Sequence, residues 1–274
     1  NRVQLRWETF AFEALDVIKL ALKGPLLPSV GFNDHTSMTM RAYDVPVQER
    51  EFELSPDFSI ASLDDDRMKQ RTLSKAQRAG LSQEDYIAML GKVWDRRSEV
   101  PNKISEVARM ASAVEAPMLS HDDTRADTRG YFRNLGASVA EFPMVMEAVE
   151  AARKHGDLII LGAPNAARGG SHIGSIGAAD MVEAGLCDAL ASDYFYPAML
   201  AAIDRLDREK RADRATLWSL LSSGPARAMR LNDRGSITIG SRADLVLVDW
   251  TKGQAPVIEG TWIAGRAAYS IQTQ

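Results

Sequence analysis

Apolar positions along this chain switch repeatedly between two periods. Between 101 and 221, runs of strand length alternate with segments whose apolar residues recur at helical spacing. Ile104, Val107, Ala108, Ala111 and Val114 follow Pro101 at that spacing, so 102–115 is predicted to be a helix with proline in its opening turn. The run 116–120 reads as a strand closing at His121-Asp122-Asp123, and 137–140 as a second closing at Glu141-Phe142-Pro143. A helix is expected over 143–155, begun by Pro143, with Lys154 and His155 in its last turn and Gly156 as the stop. The strand 158–161 leads into Gly162-Ala163-Pro164-Asn165 and a glycine-rich loop. A helix over 178–184 then stops at Gly185, the strand 188–191 ends at Ser192-Asp193-Tyr194, and helices follow over 198–208 and 214–221.

The strands at 116, 137 and 158 start 21 residues apart, the rhythm of repeated βα units with a parallel sheet. Two earlier strands fit the same scheme: 2–7, ending at Glu8, and 28–32, ending at Asn33-Asp34-His35, with a helix over 12–22 between them. Six strands of this kind make an α/β protein. From 40 to 100 the rhythm breaks into an insertion, polar and mixed in sign over 45–71, with a helix expected over 82–96 behind Ser82 as N-cap. An insertion of this length reads as a lid or an oligomer arm, or else as a disordered linker. From Asp233 the pattern changes to short strands at 236–239, 244–248 and 261–264. The expected domains are therefore 1–232, carrying the insertion, and a small β appendage over 233–274.

Composition narrows the function classes. At 274 residues, 45% hydrophobic and 26% charged, the chain is globular and long enough for a sizeable core. Thirty-three Lys and Arg against 37 Asp and Glu give a net charge of −4, which argues against a nucleic-acid or membrane-surface binder. No apolar run approaches the roughly 18–20 residues of a membrane span. The single Cys187 excludes a disulfide framework and suits a reducing, cytoplasmic setting, where a small core role is expected for it.

The chemistry gathers at strand ends. Glu8, His35, His121, Glu141 and Asp193 each close a strand, as does Asn165, and in a (β/α) barrel such positions face one mouth. A divalent ion wants imidazole and carboxylate donors converging from separate elements, and Glu8, His35, His121 and Asp193 form an incomplete set of that kind. Asp193 could also take a proton from an attacking water. Each has a plainer reading: Glu8 as a solvent-facing glutamate, His35 as a turn residue, His121-Asp122-Asp123 and Asp193 as helix caps. Glu141 reads as structural or supporting, His155 as a surface partner of a helix dipole, and Asp64-Asp65-Asp66 as a solvated charge run. A second cluster, Asn165 to Ser175, combines glycines with Arg168, Ser171 and His172, which suits an anion such as phosphate, or else is a flexible loop of small residues.

Six strings in order carry a resemblance: Asn33-Asp34-His35-Thr36, Leu119-Ser120-His121-Asp122-Asp123, Ala140-Glu141-Phe142-Pro143, Gly162-Ala163-Pro164-Asn165, Arg168-Gly169-Gly170-Ser171-His172 and Ser192-Asp193-Tyr194. Together with Gly240-Ser241-Arg242-Ala243-Asp244 and Gly265-Arg266 near the end, they resemble the alkylphosphonate-utilisation branch of the amidohydrolase superfamily. The resemblance implies a (β/α)8 TIM-barrel-like fold, here N-terminally incomplete, with part of a β-sandwich beside it. It implies His35 and His121 as metal ligands, Asp193 as ligand and general base, and Glu8 as a bridging or third ligand. Asn165, Arg168, Ser171 and His172 would contact a small phosphorylated substrate. The implied cofactor is a divalent metal, zinc first, with manganese and iron as alternatives. The implied reaction releases pyrophosphate from ribose 1-methylphosphonate 5-triphosphate, and the implied assembly is a homodimer or an association with other phosphonate-pathway proteins. Two other readings stay open: hydrolysis of a C–N bond, as in a cyclic amidase or deaminase, and a catalytically dead scaffold subunit. The superfamily's first strand, with its His-x-His pair, has no counterpart after Asn1, so the chain is expected to lack the N-terminal part.

Overall fold

The structure, a computed structural model, describes residues 2–42, 45–169, 176–251 and 254–271. Two units partition the chain, Asn1–Ala152 and Arg153–Gln274. In the first, β1 (Gln4–Glu8), β2 (Ser29–Asn33), β3 (Met118–His121) and β4 (Val139–Glu141) form a parallel sheet in that order. The register pairs Glu8 with Asn33 and His121 with Glu141, so the strands finish level at one edge. β2 is buried at every position, as a strand covered on both faces must be, which is why Ser-Val-Gly-Phe-Asn shows no alternation.

Helices α1 (Leu15–Leu22) and α2 (His35–Met40) follow the first two strands. The predicted helix 12–22 divides, because a 3-10 turn over Phe12–Ala14 precedes α1. His35 is the opening residue of α2 instead of a strand terminus, since the Asp34 carboxylate caps that helix by accepting from Ser37 N at 2.8 Å. The insertion contains α3 (Asp66–Ala79) and α4 (Gln83–Trp94). Ser82 caps α4 as expected, accepting from Asp85 N at 3.0 Å. The run 64–66 is exposed, as expected of a solvated charge run, and Asp65 within it also caps α3 by accepting from Arg67 N at 2.8 Å. Met40, Ala61, Met68 and Leu90 give the insertion a small core of its own.

Next come α5 (Val100–Ala113), α6 (Ala126–Asn134) and α7 (Met146–Lys154). The apolar stripe of α5 predicted from its spacing is the stripe found buried, with Ile104, Val107 and Ala111 inaccessible. It packs with Trp7, Val30, Phe32 and Phe132 in one cluster, where the Phe32 ring stacks on Phe132 at 5.3 Å between centroids.

In the second unit β5 (Leu158–Gly162) pairs in parallel with β6 (Ala189–Ala191). Between them lie α8 (Ala163–Arg168) and α9 (Ala178–Glu183), and α10 (Ala198–Arg208) follows β6. The expected loop after β5 is a helix as far as Arg168: Pro164 sits in its first turn and Gly169, at φ 86°, ends it. Shorter helices α11 (Arg214–Ser219) and α12 (Ser223–Ala228) precede an antiparallel sheet of β7 (Leu245–Asp249), β8 (Val257–Ile263) and β9 (Arg266–Ser270). The strand expected at 236–239 is absent: Ile237 and Ile239 are 92% and 105% exposed and have no ladder to join, so their alternation carries no fold information. Six parallel strands are described, at the six places the sequence predicts.

Candidate functional site

The level ends of β1 to β4 bring alternating acids and imidazoles together. Glu8 is saturated with donors: its Oε1 accepts from His35 N at 2.7 Å, Thr36 N at 3.2 Å and Thr36 Oγ1 at 3.4 Å, while Oε2 lies 3.0 Å from His35 Nδ1. That contact leads the causes that raise the His35 pKa, against the opposing effect of its burial. The other ring nitrogen, Nε2, is 3.8 Å from Asp122 Oδ2. The same Asp122 oxygen is 3.1 Å from His121 Nδ1, and His121 Nε2 is 3.8 Å from Glu141 Oε2. The result is an unbroken run, Glu8–His35–Asp122–His121–Glu141, with the two rings 6.3 Å apart.

Local backbone makes the run geometrically available. Asp122 and Phe142 both follow the last residue of a strand, and both adopt left-handed conformations, φ 58° and 56°. Non-glycine residues held there cost roughly 1–3 kcal/mol, and such costs concentrate at functional sites. The turn at Asp122 is fixed by its N–H, which donates to the Glu141 carbonyl at 3.0 Å. Phe142 packs edge-on against the His121 ring at 5.2 Å.

Glu141 is reached from the far side of the sheet. Gln4 Nε2 on β1 donates to Glu141 Oε2 at 2.8 Å. The intervening Gly31 permits this, because a Cβ there would stand only 3.2 Å from Gln4 Nε2. Burial is the largest influence on Glu141 and pushes its pKa up, with His121 pulling it down.

His121 is the informative member. Its side chain is 4% exposed, yet neither ring nitrogen makes a hydrogen bond; the Asp122 oxygen lies off the donor axis. Two unsatisfied buried nitrogens are costly, so this ring suits a ligand that would occupy them. Imidazoles and carboxylates are also the donor types of a zinc or related divalent centre. Among the described residues, no three His, Cys, Asp or Glu side chains surround one point closely enough to hold a metal, so these donors stand as pairs. A narrow pocket opens beside them, with His35, His121, Asp122, Asp34 and the apolar Phe32 and Met38 in its lining.

Several contributors escape sequence reasoning. Asp122 was legible only as a neighbour of His121, and Glu141 only as a supporting group. Glu53, from the polar stretch of the insertion, gave no signal at all. It is buried against the pocket, where its carboxylate accepts from Thr124 Oγ1 at 2.7 Å and Thr128 Oγ1 at 3.0 Å. Lys75 of α3 donates to Thr39 Oγ1 at 2.5 Å, and burial lowers its pKa against the pull of Glu8.

The remaining predicted residues belong to the second unit. Asp193 is exposed just beyond β6, in a left-handed conformation of φ 47° like Asp122. Arg168 is exposed at the end of α8, and Asn165 within that helix uses its Oδ1 to accept from Ala178 N at 3.1 Å. Ser171 and His172 lie outside the described residues. Cys187 is buried, which pushes its thiol up to about 12 and leaves it protonated.

Asp34 supplies a pH test. Burial dominates there and pushes its carboxyl up to about 7, opposed by the two hydrogen bonds from Ser37 and reinforced by Glu8 and Glu53. An acid whose folded pKa lies above its unfolded value favours the fold fully below the unfolded value, near 4, and loses that contribution as pH rises through about 7. Asparagine keeps the capping acceptor without the charge. Asp34→Asn is therefore expected to raise the thermal midpoint of the metal-free protein at pH 8 relative to the parent, with the gain shrinking towards pH 5. A gain that does not change with pH would contradict the buried charge.

The family model described as Amidohydrolase family matches residues 97–269. The chain is 36% identical over 189 residues to alpha-D-ribose 1-methylphosphonate 5-triphosphate diphosphatase of Escherichia coli strain K12. That match covers 68% of this chain and 48% of the relative, so the chain spans less than half of the relative's length. In structure it is similar to 5-methylcytosine deaminase from Klebsiella pneumoniae, with a TM-score of 0.51 and 13% identity, over 100% of this chain and 71% of that one. This likeness shows an α/β barrel-like fold and nothing of substrate. No helix among the described residues is long and apolar enough to cross a membrane.

Proposed function

This chain belongs to the amidohydrolase family, and on that premise we propose that it is a metal-dependent hydrolase that releases pyrophosphate from α-D-ribose 1-methylphosphonate 5-triphosphate. The observation that carries the reading is the run of three carboxylates and two imidazoles that contains the unsatisfied His121 ring. The 36% identity to a diphosphatase of that name supports the choice of substrate.

In this reading His35 and His121 hold a divalent ion, zinc before manganese or iron, with Glu8 and Asp193 as carboxylate donors. When bound, such an ion neutralises phosphoryl charge and acidifies water. The chain's own residues do the rest. Glu8, held by four donors, fixes the His35 ring, and Gln4 fixes the Glu141 carboxylate. Asp193 accepts the proton of the attacking water. Arg168 offers a forked cation to the departing pyrophosphate. Asn165, which accepts from Ala178 N, joins Ser171 and His172 in the phosphate contacts. The protein works in the cytoplasm on this small phosphorylated substrate, as a homodimer or beside other phosphonate-pathway proteins.

The test is pyrophosphate release from that triphosphate by metal-stripped protein, with and without added zinc. Asp193→Asn is expected to slow release by roughly 10²–10⁴-fold, the range for a positioned acid–base group. An unchanged rate removes Asp193 from the mechanism. Zinc-dependent turnover of cyclic amides, with the triphosphate left intact, would replace this reading with C–N hydrolysis.

A further inference from the structure

Beside the run lies a buried ion pair that the reading above does not use. Arg129 on α6 and Asp123 are both 0% exposed. The Arg129 Nη1 donates to Ser120 Oγ at 2.5 Å and to the Val139 carbonyl at 3.0 Å, and stands 3.5 Å from Asp123 Oδ2. Its Nη2 donates to the Ala137 carbonyl, and Ser120 Oγ donates onward to Asp123 Oδ2 at 2.5 Å. Ser120 immediately precedes His121 on β3, and Val139 begins the strand that ends at Glu141. The two strands share only three register pairs, and β4 is three residues long, so the ladder alone holds these ends weakly. The guanidinium supplies the missing bonds, because its planar fork can serve two carbonyls, a hydroxyl and a carboxylate at once.

We propose that Arg129 is a positioning residue that cross-links the end of β3 to the start of β4 and so sets the spacing of His121 from Glu141. The inference rests on the reading of His121 as a metal ligand, but its geometry can be tested without metal. Lysine at this position keeps a cation beside Asp123 while losing the fork.

The experiment compares Arg129→Lys with the parent chain by long-range ¹H–¹⁵N correlation of the imidazole rings in metal-free protein, and by competitive zinc titration. His121 signals are assigned by their loss in His121→Gln. The expected result is that the His121 signals move while those of His155, exposed after α7, hold still. Zinc affinity should fall by about 10–100-fold, the range for loss of an outer partner of a metal ligand. Unmoved His121 signals with unchanged zinc affinity, in a variant of lowered thermal midpoint, would make Arg129 purely structural and overturn the proposal. If Arg129→Lys does not fold, Ser120→Ala decides by the same two readouts, since it removes only the hydroxyl between Arg129 and Asp123. A parent that binds no zinc defeats the metal reading alone, and the ring signals still judge the cross-link.

Discussion

His121→Leu should abolish zinc binding and pyrophosphate release while leaving the metal-free protein at least as stable as the parent. The two effects point in opposite directions for one reason. The His121 ring is buried and both its nitrogens lack hydrogen bonds, a condition that costs about 1–3 kcal/mol for an unsatisfied buried polar group. Leucine removes those nitrogens and fills much of the same space beside Phe142. A residue selected for packing would not pay that cost, so a gain in stability paired with a loss of metal marks a functional residue. Because His121 would be a direct ligand, the affinity loss should exceed the roughly 10–100-fold typical of outer partners. Isothermal titration with zinc and a thermal scan of the apoprotein measure both quantities. Retained zinc binding would exclude His121 from the site, and a large drop in stability would make it an ordinary core histidine.

Phe32→Ala is expected to be the most destabilising single truncation in the first unit. Phe32 is 1% exposed on the central strand β2, stacked on Phe132 at 5.3 Å and edge-on to Trp7 at 6.1 Å. Truncating a buried phenylalanine costs about 3–5 kcal/mol, a large share of the roughly 5–15 kcal/mol that holds a typical domain. The urea midpoint should fall by a corresponding amount with little change in slope, since the surface exposed on unfolding is nearly the same. Phe32 also lies two residues before Asp34 and lines the pocket, so the variant should bind zinc more weakly even where it remains folded. A midpoint shift corresponding to less than about 1 kcal/mol would mean that this cluster is not the core of the unit.

The places where sequence and structure part company share a cause. Strands and long helices were readable because burial imposes a period on them: Ile104, Val107 and Ala111 face the core of their unit, and the spacing shows it. Helices α3 and α8 escape the pattern because their caps are polar or small residues, which equally suit a loop; Asp65 and Gly169 disclose their roles only once the backbone is seen. The alternation at 236–239 promised a strand, but a strand exists only with a partner. Glu8 shows the same limit at the site. Its neighbours in sequence said nothing of four donors, all of them backbone or side-chain groups of the helix that begins after β2.

The chain's own order of residues thus determined the family, the six βα strands and the histidines and acids at their ends, because local period and short motifs are written in neighbouring positions. Tertiary structure alone decided that Asp122 and Glu141 join His35 and His121 in one run, that Gln4 crosses over Gly31 to hold Glu141, and that Glu53 reaches the pocket from the insertion. Those contacts join residues as far as 137 positions apart. Strand register and the left-handed turns after β3 and β4 set them, and both depend on how neighbouring strands pair, which no local pattern encodes.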